Sequence, residues 1–539
     1  MSEGPGRVHG RLTRRVLLRG VGAVSTTAAA AVVLAACGEA KVVTKEVPVE
    51  KVVVKEVPVE KVVTKEVEKV VTKEVPVEKI VTKTVEKIVE KIVTAPPQKA
   101  TIRKLTAVTD WNDGPRLEVM NLYAAEYVKK FPHVQQVDIW HLGGGGGTTS
   151  IGLADAVITT MLVGQGPDVF IEFGERPTEW HADLTEWIKK LGIDRSKYIW
   201  QDASVNTKDG KPRFLPFNIG IPSFSYNLNM FQAAGVQDPP KDGSWTWTNW
   251  AEAFKKTTNK DKNEWGFLMT KSTWHWGTFD LLMAEGALPY DPAPALGGDV
   301  AKTRTTLFED TRKWGGNPAQ RWGFYVGLAQ KDKVGAPASV QAQLQAGAGV
   351  QAPQASGKIA VWSGGLQGFG FQERLVGDRF KFGYAWPAMP EKTKRRSVIS
   401  GHSGLSVNVQ SRERGWEEEA VQLAALWLDE KIMGTAISTG AGGFMNKQML
   451  RELPALKNAK AQRITDHALP ICEWFIGPDC PWSGDYVGGS AWAGWREWFV
   501  ALRGKMNLGI DGELSAEDAL KQGIEAGDAA IKKVREQTK

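Results

Sequence analysis

An exported α/β protein of two lobes is what three observations on this 539-residue chain predict. From about residue 100 onward, short apolar runs alternate with segments of helical period, the pattern of strands separated by helices in a mostly parallel sheet. That part is about 440 residues long, more than one core usually serves and enough for two lobes. Everything before it reads as leader and spacer, which sets the boundaries 1–36 signal peptide, 37–99 spacer and 100–539 folded domain.

The leader carries Arg7, Arg11, Arg14, Arg15 and Arg19 against Glu3, followed by an apolar run from Gly20 to Ala36 diluted by Ser25, Thr26 and Thr27. Such a run is too short and too mild to span a bilayer, and it fits a signal peptide. Thr13-Arg14-Arg15-Val16-Leu17-Leu18-Arg19 resembles the twin-arginine export signal, with an ordinary secretory leader as the alternative. Leu34-Ala35-Ala36-Cys37 has the pattern of a lipobox, in which Cys37 is acylated and becomes the mature N-terminus. The folded domain is then expected outside the cytoplasm, facing the periplasm or cell exterior and held to the membrane by lipid. One chain binds a bilayer only marginally, so stable attachment needs the several chains a lipoprotein cysteine carries.

Lys41 to Glu50 recurs with small changes at Lys51 to Glu60 and Lys69 to Glu78, and in shortened forms to Thr94. A period of about ten is too short for a solenoid unit. Pro48, Pro58 and Pro76 break helices, and the valines favour extended backbone. Without aromatic residues, and with Lys nearly balanced by Glu, the segment has no means of building a core. It is expected to be an extended spacer, reaching on the order of 190 Å at roughly 3.3 Å per residue; a self-associating β or coiled-coil stalk is the competing reading.

The net charge of +7 shrinks once leader and repeat are set aside, because five Arg oppose one Glu in the first and twelve Lys oppose eleven Glu between residues 37 and 94. About +2 remains, no basic stripe survives, and no nucleic-acid motif is present. Besides Cys37 the chain has only Cys472 and Cys480, for which a disulfide is expected outside the cytoplasm and two free thiols are the alternative. No His or third Cys stands at ligand spacing, so no metal site and no cofactor are expected.

In the folded part, Leu105 to Val108 predicts a strand, and Asp110 to Gly114 a polar turn. Leu117, Met120, Tyr123, Ala124, Tyr127 and Val128 follow at helical spacing, closing at Lys129-Lys130-Phe131-Pro132. Val134 to Trp140 predicts the next strand, Leu153 to Leu162 a helix, and Pro167 to Ile171 a further strand. Ligands of such sheets lie at the carboxyl ends of strands. The turns at Asp110–Asp113 and Glu172–Glu175 are therefore expected on one rim.

Other chemistries fail. Gly143 to Gly147 lacks the Lys-Ser or Lys-Thr of a phosphate-binding loop, and Gly401-His402-Ser403-Gly404 lacks the spacing of a nucleophile elbow. Asp110 with Asp113, or Glu172 with Glu175, could form a glycosidase pair, but carboxylates also serve as hydrogen-bond acceptors for sugars. A secreted carbohydrate-active hydrolase and a stalked sensor or adhesin remain as alternatives.

Gly164-Gln165-Gly166-Pro167-Asp168-Val169, Ala182-Asp183-Leu184-Thr185, Leu215-Pro216, Ser225-Tyr226-Asn227, Met230 to Val236, Pro239-Pro240 and Trp245-Thr246-Trp247 follow one another in order, with Gly357 to Trp362, Pro387 to Pro390, Ala420 to Asp429 and Gly440 to Phe444 downstream. This succession resembles family 1 of the extracellular solute-binding proteins of ABC importers, over nearly all of residues 100–539. The resemblance implies a two-lobe periplasmic-binding-protein-like fold of the class II type, closing on its ligand like a hinge. Crossings are implied near Pro216 to Pro222, Ser397 to Gly404 and Leu456 to Arg463. Lobe 1 then comprises about 100–216 and 404–455, and lobe 2 about 217–397 and 460–539. A monomer that delivers a small solute, most readily a carbohydrate, to permease subunits is the implied function.

Carried over, the ligand-binding positions are Trp111, Asn112, Asp113, Glu172, Glu175, Asn218, Tyr226, Trp274, Trp276, Trp362, Ser363, His402 and Ser403. Several of the 22 tryptophans sit beside Gly or Ser, which suits flat platforms for the C–H face of a sugar. Burying one indole face of about 100 Å² contributes a few kcal/mol gross at roughly 25 cal/mol per Å². Trp187, Trp200, Trp427 and Trp498 stand in apolar context and are assigned to the core. Because Cys37 ends the lipobox, Cys37→Ser is expected to abolish incorporation of labelled fatty acid in the native host. Label retained by the variant, or absent from the wild type, would refute acylation at this residue.

Overall fold

The computed structural model describes residues 101–109, 111, 114–141, 157–172, 180–198, 211–219, 222–269, 282, 305, 316–350, 352–365, 369–394, 402–442, 446, 449, 471 and 495–538. The chain divides into Met1–Ala95 and Pro96–Lys539, and every described residue belongs to the second unit. The leader, Cys37, the spacer, the glycine run at 143–147, Trp200, the third expected crossing, Cys472 and Cys480 lie outside the described residues.

The first strand, β1 (Leu105–Thr109), is buried along its whole length. Helix α1 (Gly114–Lys130) follows, burying Val119, Met120, Tyr123 and Tyr127 at the spacing that the sequence shows and ending on Lys129 and Lys130, which suit the negative pole of a helix. Strand β2 (Val137–His141) begins three residues later than expected. Val134 makes only an isolated bridge to Ile102, and Gln135 and Gln136 are exposed. Residues 157–162 are helical, and β3 (Val169–Glu172) follows. Next come β4 (Phe214–Ile219), β5 (Pro222–Asn227), α2 (Trp247–Thr257), β6 (Trp265–Leu268), α3 (Pro318–Gln330), β7 (Gly335–Ala336), α4 (Ala338–Ala348), β8 (Ile359–Gly365), α5 (Phe369–Val376), β9 (Phe382–Ala385), β10 (His402–Val407), α6 (Glu417–Leu426), α7 (Glu430–Ser438), α8 (Trp495–Asp511) and α9 (Ala516–Thr538).

The strands form two five-stranded sheets, ordered β2-β1-β3-β10-β4 and β7-β6-β8-β5-β9. In the first sheet β1 runs parallel to β2 and β3, while β10 runs against β3 and β4. In the second, β6 runs parallel to β7 and β8, while β5 runs against β8 and β9. Each reversed strand is the one by which the chain enters that sheet from the other. Parallel strands all end at one rim, so a strand that enters from that rim must run the opposite way. Pro222 at the start of β5 lies opposite Gly365 at the end of β8, and His402 at the start of β10 lies opposite Ile219 at the end of β4. Both crossings therefore join carboxyl rims.

Most buried side chains gather in a core on each sheet, with Tyr384 of β9 and the following Trp386 joining the first. Leu105, Val108, Val169, Phe170 and Leu405 pack with Tyr123, Tyr127, Leu423, Trp427, Met433 and Ile437 from α1, α7 and the α6 region. The hydroxyls of Tyr123 and Tyr127 donate to the carbonyls of Leu423 and Glu419 at 2.5 and 2.8 Å, so these polar tips are satisfied while the rings are buried. Burial raises the ionisation of the Tyr123 phenol well above its ordinary range, with the neighbouring Tyr127 adding to it. The second core gathers Phe224, Trp250, Phe254, Phe267, Trp322 and Tyr325 with Trp498, Leu502 and Met506 of α8. Helix α2 reaches β6 closely because position 266 is glycine, where a Cβ would overlap the Phe254 carbonyl. Trp427 and Trp498 are core side chains, as expected, and Trp187 is partly buried against the first core. Among the described residues, no helix is long and apolar enough to cross a membrane.

One buried carboxylate holds the far end of the first sheet. Asp168, 2% exposed, accepts at Oδ2 from the Thr106 backbone N–H and hydroxyl at 2.9 and 3.0 Å. Its Oδ1 accepts from Ser411 Oγ at 2.9 Å and from Arg414 Nη1 and Trp416 Nε1 at 2.8 Å each. Arg414 also donates to the Gly166 carbonyl at 2.9 Å. Gly166 has no room for a side chain, since a Cβ would lie 2.6 Å from Asn408 Nδ2 and 2.7 Å from Met161 Cγ. The Gly-Gln-Gly-Pro-Asp segment thus ties β1 and β3 to the chain leaving β10. Asp168→Asn is expected to lower stability by about 3 kcal/mol, since breaking a buried pair strands the remaining charge. A urea midpoint equal to that of the wild type would refute this role.

Candidate functional site

The carboxyl rim of the first sheet is built by β1, β3 and β4, with the start of β10 between the last two. At β1, Thr109 Oγ1 accepts from the Trp111 backbone N–H at 2.9 Å and turns the chain out of the strand. Glu172 closes β3 opposite Gly404, and Asn218 lies opposite Ser403 one strand further on. The register shifts between Ser403 and Gly404. Gly404 is required there because a Cβ would run into the Phe214 ring. Glu172, Asn218, His402 and Ser403 therefore share one rim, as the carried-over positions imply. For Glu172, His402 and Ser403 only the backbone belongs to the described structure.

Two further residues converge on this rim. Gly442, with φ of +134°, follows α7, and a Cβ there would lie 3.0 Å from both Asn218 Oδ1 and the Trp111 ring. Arg116, in the first turn of α1, donates from Nε to the Ala441 carbonyl at 3.1 Å and places its guanidinium 5.1 Å from the Trp111 ring centroid. Neither Gly442 nor Arg116 stands among the ligand-binding positions expected from sequence, although Gly440 to Phe444 is one of the segments that carry the resemblance. Position 442 has to be glycine because the indole and the amide already fill the space a side chain would need.

Trp111, expected as a platform, has no open face. It is 2% exposed and packs edge-on against Trp427, with centroids 5.2 Å apart. Together with Arg116 and Gly442 it braces the rim from beneath. Trp362 and Tyr226 also need correction, since both are buried side chains of the second sheet. Trp362, 2% exposed, lies between Phe380 and Phe382 at 6.3 and 6.0 Å, and its Nε1 donates to Gln372 Oε1 at 3.1 Å. Tyr226, 1% exposed, packs on Phe231 at 5.0 Å, and burial raises its phenol far above the ordinary range. Ser363 is half-buried in β8 and points to the face opposite Trp362. Asn112, Asp113, Glu175, Trp274 and Trp276 lie outside the described residues.

The second sheet meets the crossing with the end of β8. There Ser225 Oγ donates to Gln372 Oε1 at 2.8 Å, and Gly364 leaves room for the Gln372 amide, which would stand 2.6 Å from a Cβ. Ser225 and Gln372 are buried and bonded to each other, so they fix α5 to β5 and β8 behind the crossing. A pocket of about 580 Å³ opens at the opposite end of the first sheet, where Ile102, Lys104, Arg414, Trp416 and Glu418 line it. It belongs to the Asp168 end and not to the rim.

A sequence model of the bacterial extracellular solute-binding proteins matches residues 115–433. No curated protein sequence matches the chain. Among solved structures it is similar to an ABC substrate-binding protein from Listeria monocytogenes in complex with cycloalternan, at 18% identity over 80% of this chain and 99% of that one, with a TM-score of 0.61. A Thermotoga lettingae ABC transporter solute-binding protein bound with alpha-D-tagatose shares 18% identity over 80% of this chain and 100% of its own, with a TM-score of 0.59. The maltose/maltodextrin-binding domain of Bdellovibrio bacteriovorus bound to maltotriose shares 15% over 80% and 100%, with a TM-score of 0.56. At these identities the likeness is one of fold.

Trp362→Ala is expected to cost about 3–5 kcal/mol of stability, as for other buried Trp truncations, and to leave solute affinity nearly unchanged at a temperature where the variant is folded. Lost affinity with undiminished stability would return the ring to the ligand.

Proposed function

Since the chain belongs to the bacterial extracellular solute-binding proteins, we propose that its solute is a carbohydrate, held between the lobes at the crossing rim and passed to the permease of an ABC importer. Membership in a family of solute-binding proteins makes the chain a binder and not an enzyme. What carries the carbohydrate reading is the rim itself, where Glu172, Asn218 and Ser403 lie at adjoining register positions of three neighbouring strands. A sugar offers many hydroxyls and C–H faces, so it suits a rim of acceptors and donors with aromatic residues close by. The solved relatives with cycloalternan, tagatose and maltotriose support the same class.

Asn218, Glu172, His402 and Ser403 are the first-lobe contacts in this reading, with Asn112, Asp113 and Glu175 beside them. Trp274 and Trp276 are the platforms, and Ser363 contributes from the second lobe. The lobes meet at the crossings near Pro216 to Pro222 and Ser397 to Gly404, and a ligand closes them only by touching both better when they are shut. The Leu34-Ala35-Ala36-Cys37 lipobox supports an acylated Cys37 outside the cytoplasm, with the repeat as the spacer that lets a membrane-held domain reach its solute. Cys472 and Cys480 form a disulfide in this account, and the protein acts as a monomer.

Calorimetry of the mature protein against a panel of mono- and oligosaccharides tests the reading. At least one sugar should saturate with a dissociation constant near micromolar, about −8 kcal/mol, shift tryptophan emission and be recovered intact. No saturation by any sugar, or release of cleaved products, would overturn the proposal.

A further inference from the structure

Helix α5 belongs to the second sheet by sequence, lying between β8 and β9. It is fixed there by Gln372, which accepts from Ser225 and Trp362 at 2.8 and 3.1 Å, and by Val376, which is 1% exposed. The opposite face of the helix, at positions 370 and 374, turns elsewhere. Residues four apart stack on one side of a helix and residues two apart point away from each other. Gly370 and Arg374 both meet elements of the first lobe.

At the N-terminus of α5, the Gly370 N–H donates to the Gly440 carbonyl at 3.3 Å. Gly440, φ +72°, ends the turn that stops α7. The first N–H groups of a helix lack internal partners, as do its last carbonyls, and their partial charges are opposite. The turn after α7 caps that helix with its own N–H groups, from Thr439, Gly440 and Ala441, and leaves the Gly440 carbonyl to accept an orphan N–H of α5 across the seam. The approach depends on glycine, because a Cβ at position 370 would overlap the Thr439 carbonyl oxygen and lie 3.0 Å from Gly440 Cα. One turn further on, the Arg374 guanidinium covers Gly114, the first residue of α1, at a position where φ is +47° and a Cβ would collide with it. Both contacts join the lobes through segments other than the crossing strands, the first of them beside the turn that meets Asn218 and Trp111 at the rim, so both must break if the lobes part.

We infer that α5 is a clasp between the lobes, anchored to its own sheet by Gln372 and closed on the other lobe by Gly370 and Arg374, and that it sets the balance of open and closed forms. Neither residue needs to touch the solute. An affinity for solute is reduced by the fraction of protein that is not competent to hold it, so the clasp tunes affinity through closure. This inference rests on closure between the lobes, but it needs no knowledge of the solute.

Its test is therefore made on the solute-free full chain, with spin labels attached through a non-natural amino acid at the exposed Lys129 of α1 and Lys256 of α2. Distances between them are measured by pulsed electron paramagnetic resonance. Gly370→Ala should shift the distribution to longer distance, raising the long-distance population roughly twofold or more. Its thermal midpoint, measured alongside, separates opening of the lobes from unfolding. Arg374→Ala should move the distribution in the same direction and serves as the reading if the first variant fails to fold. A distribution unchanged from the wild type in Gly370→Ala, or in Arg374→Ala where that variant alone folds, overturns the clasp. A protein that binds no sugar but shows the shift refutes the carbohydrate reading and leaves the clasp standing.

Discussion

The chain passes between its sheets only at their carboxyl rims, and the rest of the architecture depends on that constraint. It makes β5 and β10 the reversed strands of their sheets. It also brings the free ends of β3, β4 and β8 to the crossings, where loops replace the ladder and side chains of different strands can face one molecule. A site placed there is assembled from segments far apart in sequence. Asn218 and Ser403 are separated in the chain by both crossings, and the return of β10 between β3 and β4 brings Ser403 beside Asn218 and Gly404 beside Glu172.

The opposite rim is built for rigidity. Asp168 accepts five hydrogen bonds from the backbone and side chain of Thr106 and from Ser411, Arg414 and Trp416. A carboxylate out of water is tolerated only when paired and fully hydrogen-bonded, so this cluster holds the starts of β1 and β3 and the exit of β10 in one geometry. The carboxyl rim can then carry varied loops without disturbing the register of the strands. The sheet is pinned at the end opposite the proposed site.

Aromatic and glycine residues divide the work at the carboxyl rim. Trp111 lies beneath the rim against Trp427 and Arg116, while Gly442 lets a turn of chain pass directly over its edge. Gly364 and Gly370 play the matching part in the second lobe, the first admitting Gln372 and the second admitting the end of α7. Large rings supply area, and missing side chains supply approach.

Much of the fold was legible in sequence, because strand and helix periods are local and survive averaging over a segment. The apolar run at 105–108 and the spacing of Met120, Tyr123 and Tyr127 located β1 and the buried face of α1. The glycine turn and the succession of motifs pointed to the family that residues 115–433 match. That the ends of β1 and β3 lie on one rim was legible too, since parallel strands end on the same side. What only the tertiary structure decided is which aromatic residues are open to a ligand. Trp362 stands beside Ser363, Gly364 and Gly365, a neighbourhood that suggests a platform in a loop, yet it is a strand residue buried by α5 and Phe380. Gly364 is small because an amide from a helix eight residues later occupies the space, and Tyr226 is buried by residues of β9. Burial is a property of what packs against a residue from elsewhere in the chain, and no pattern of nearest neighbours carries that information.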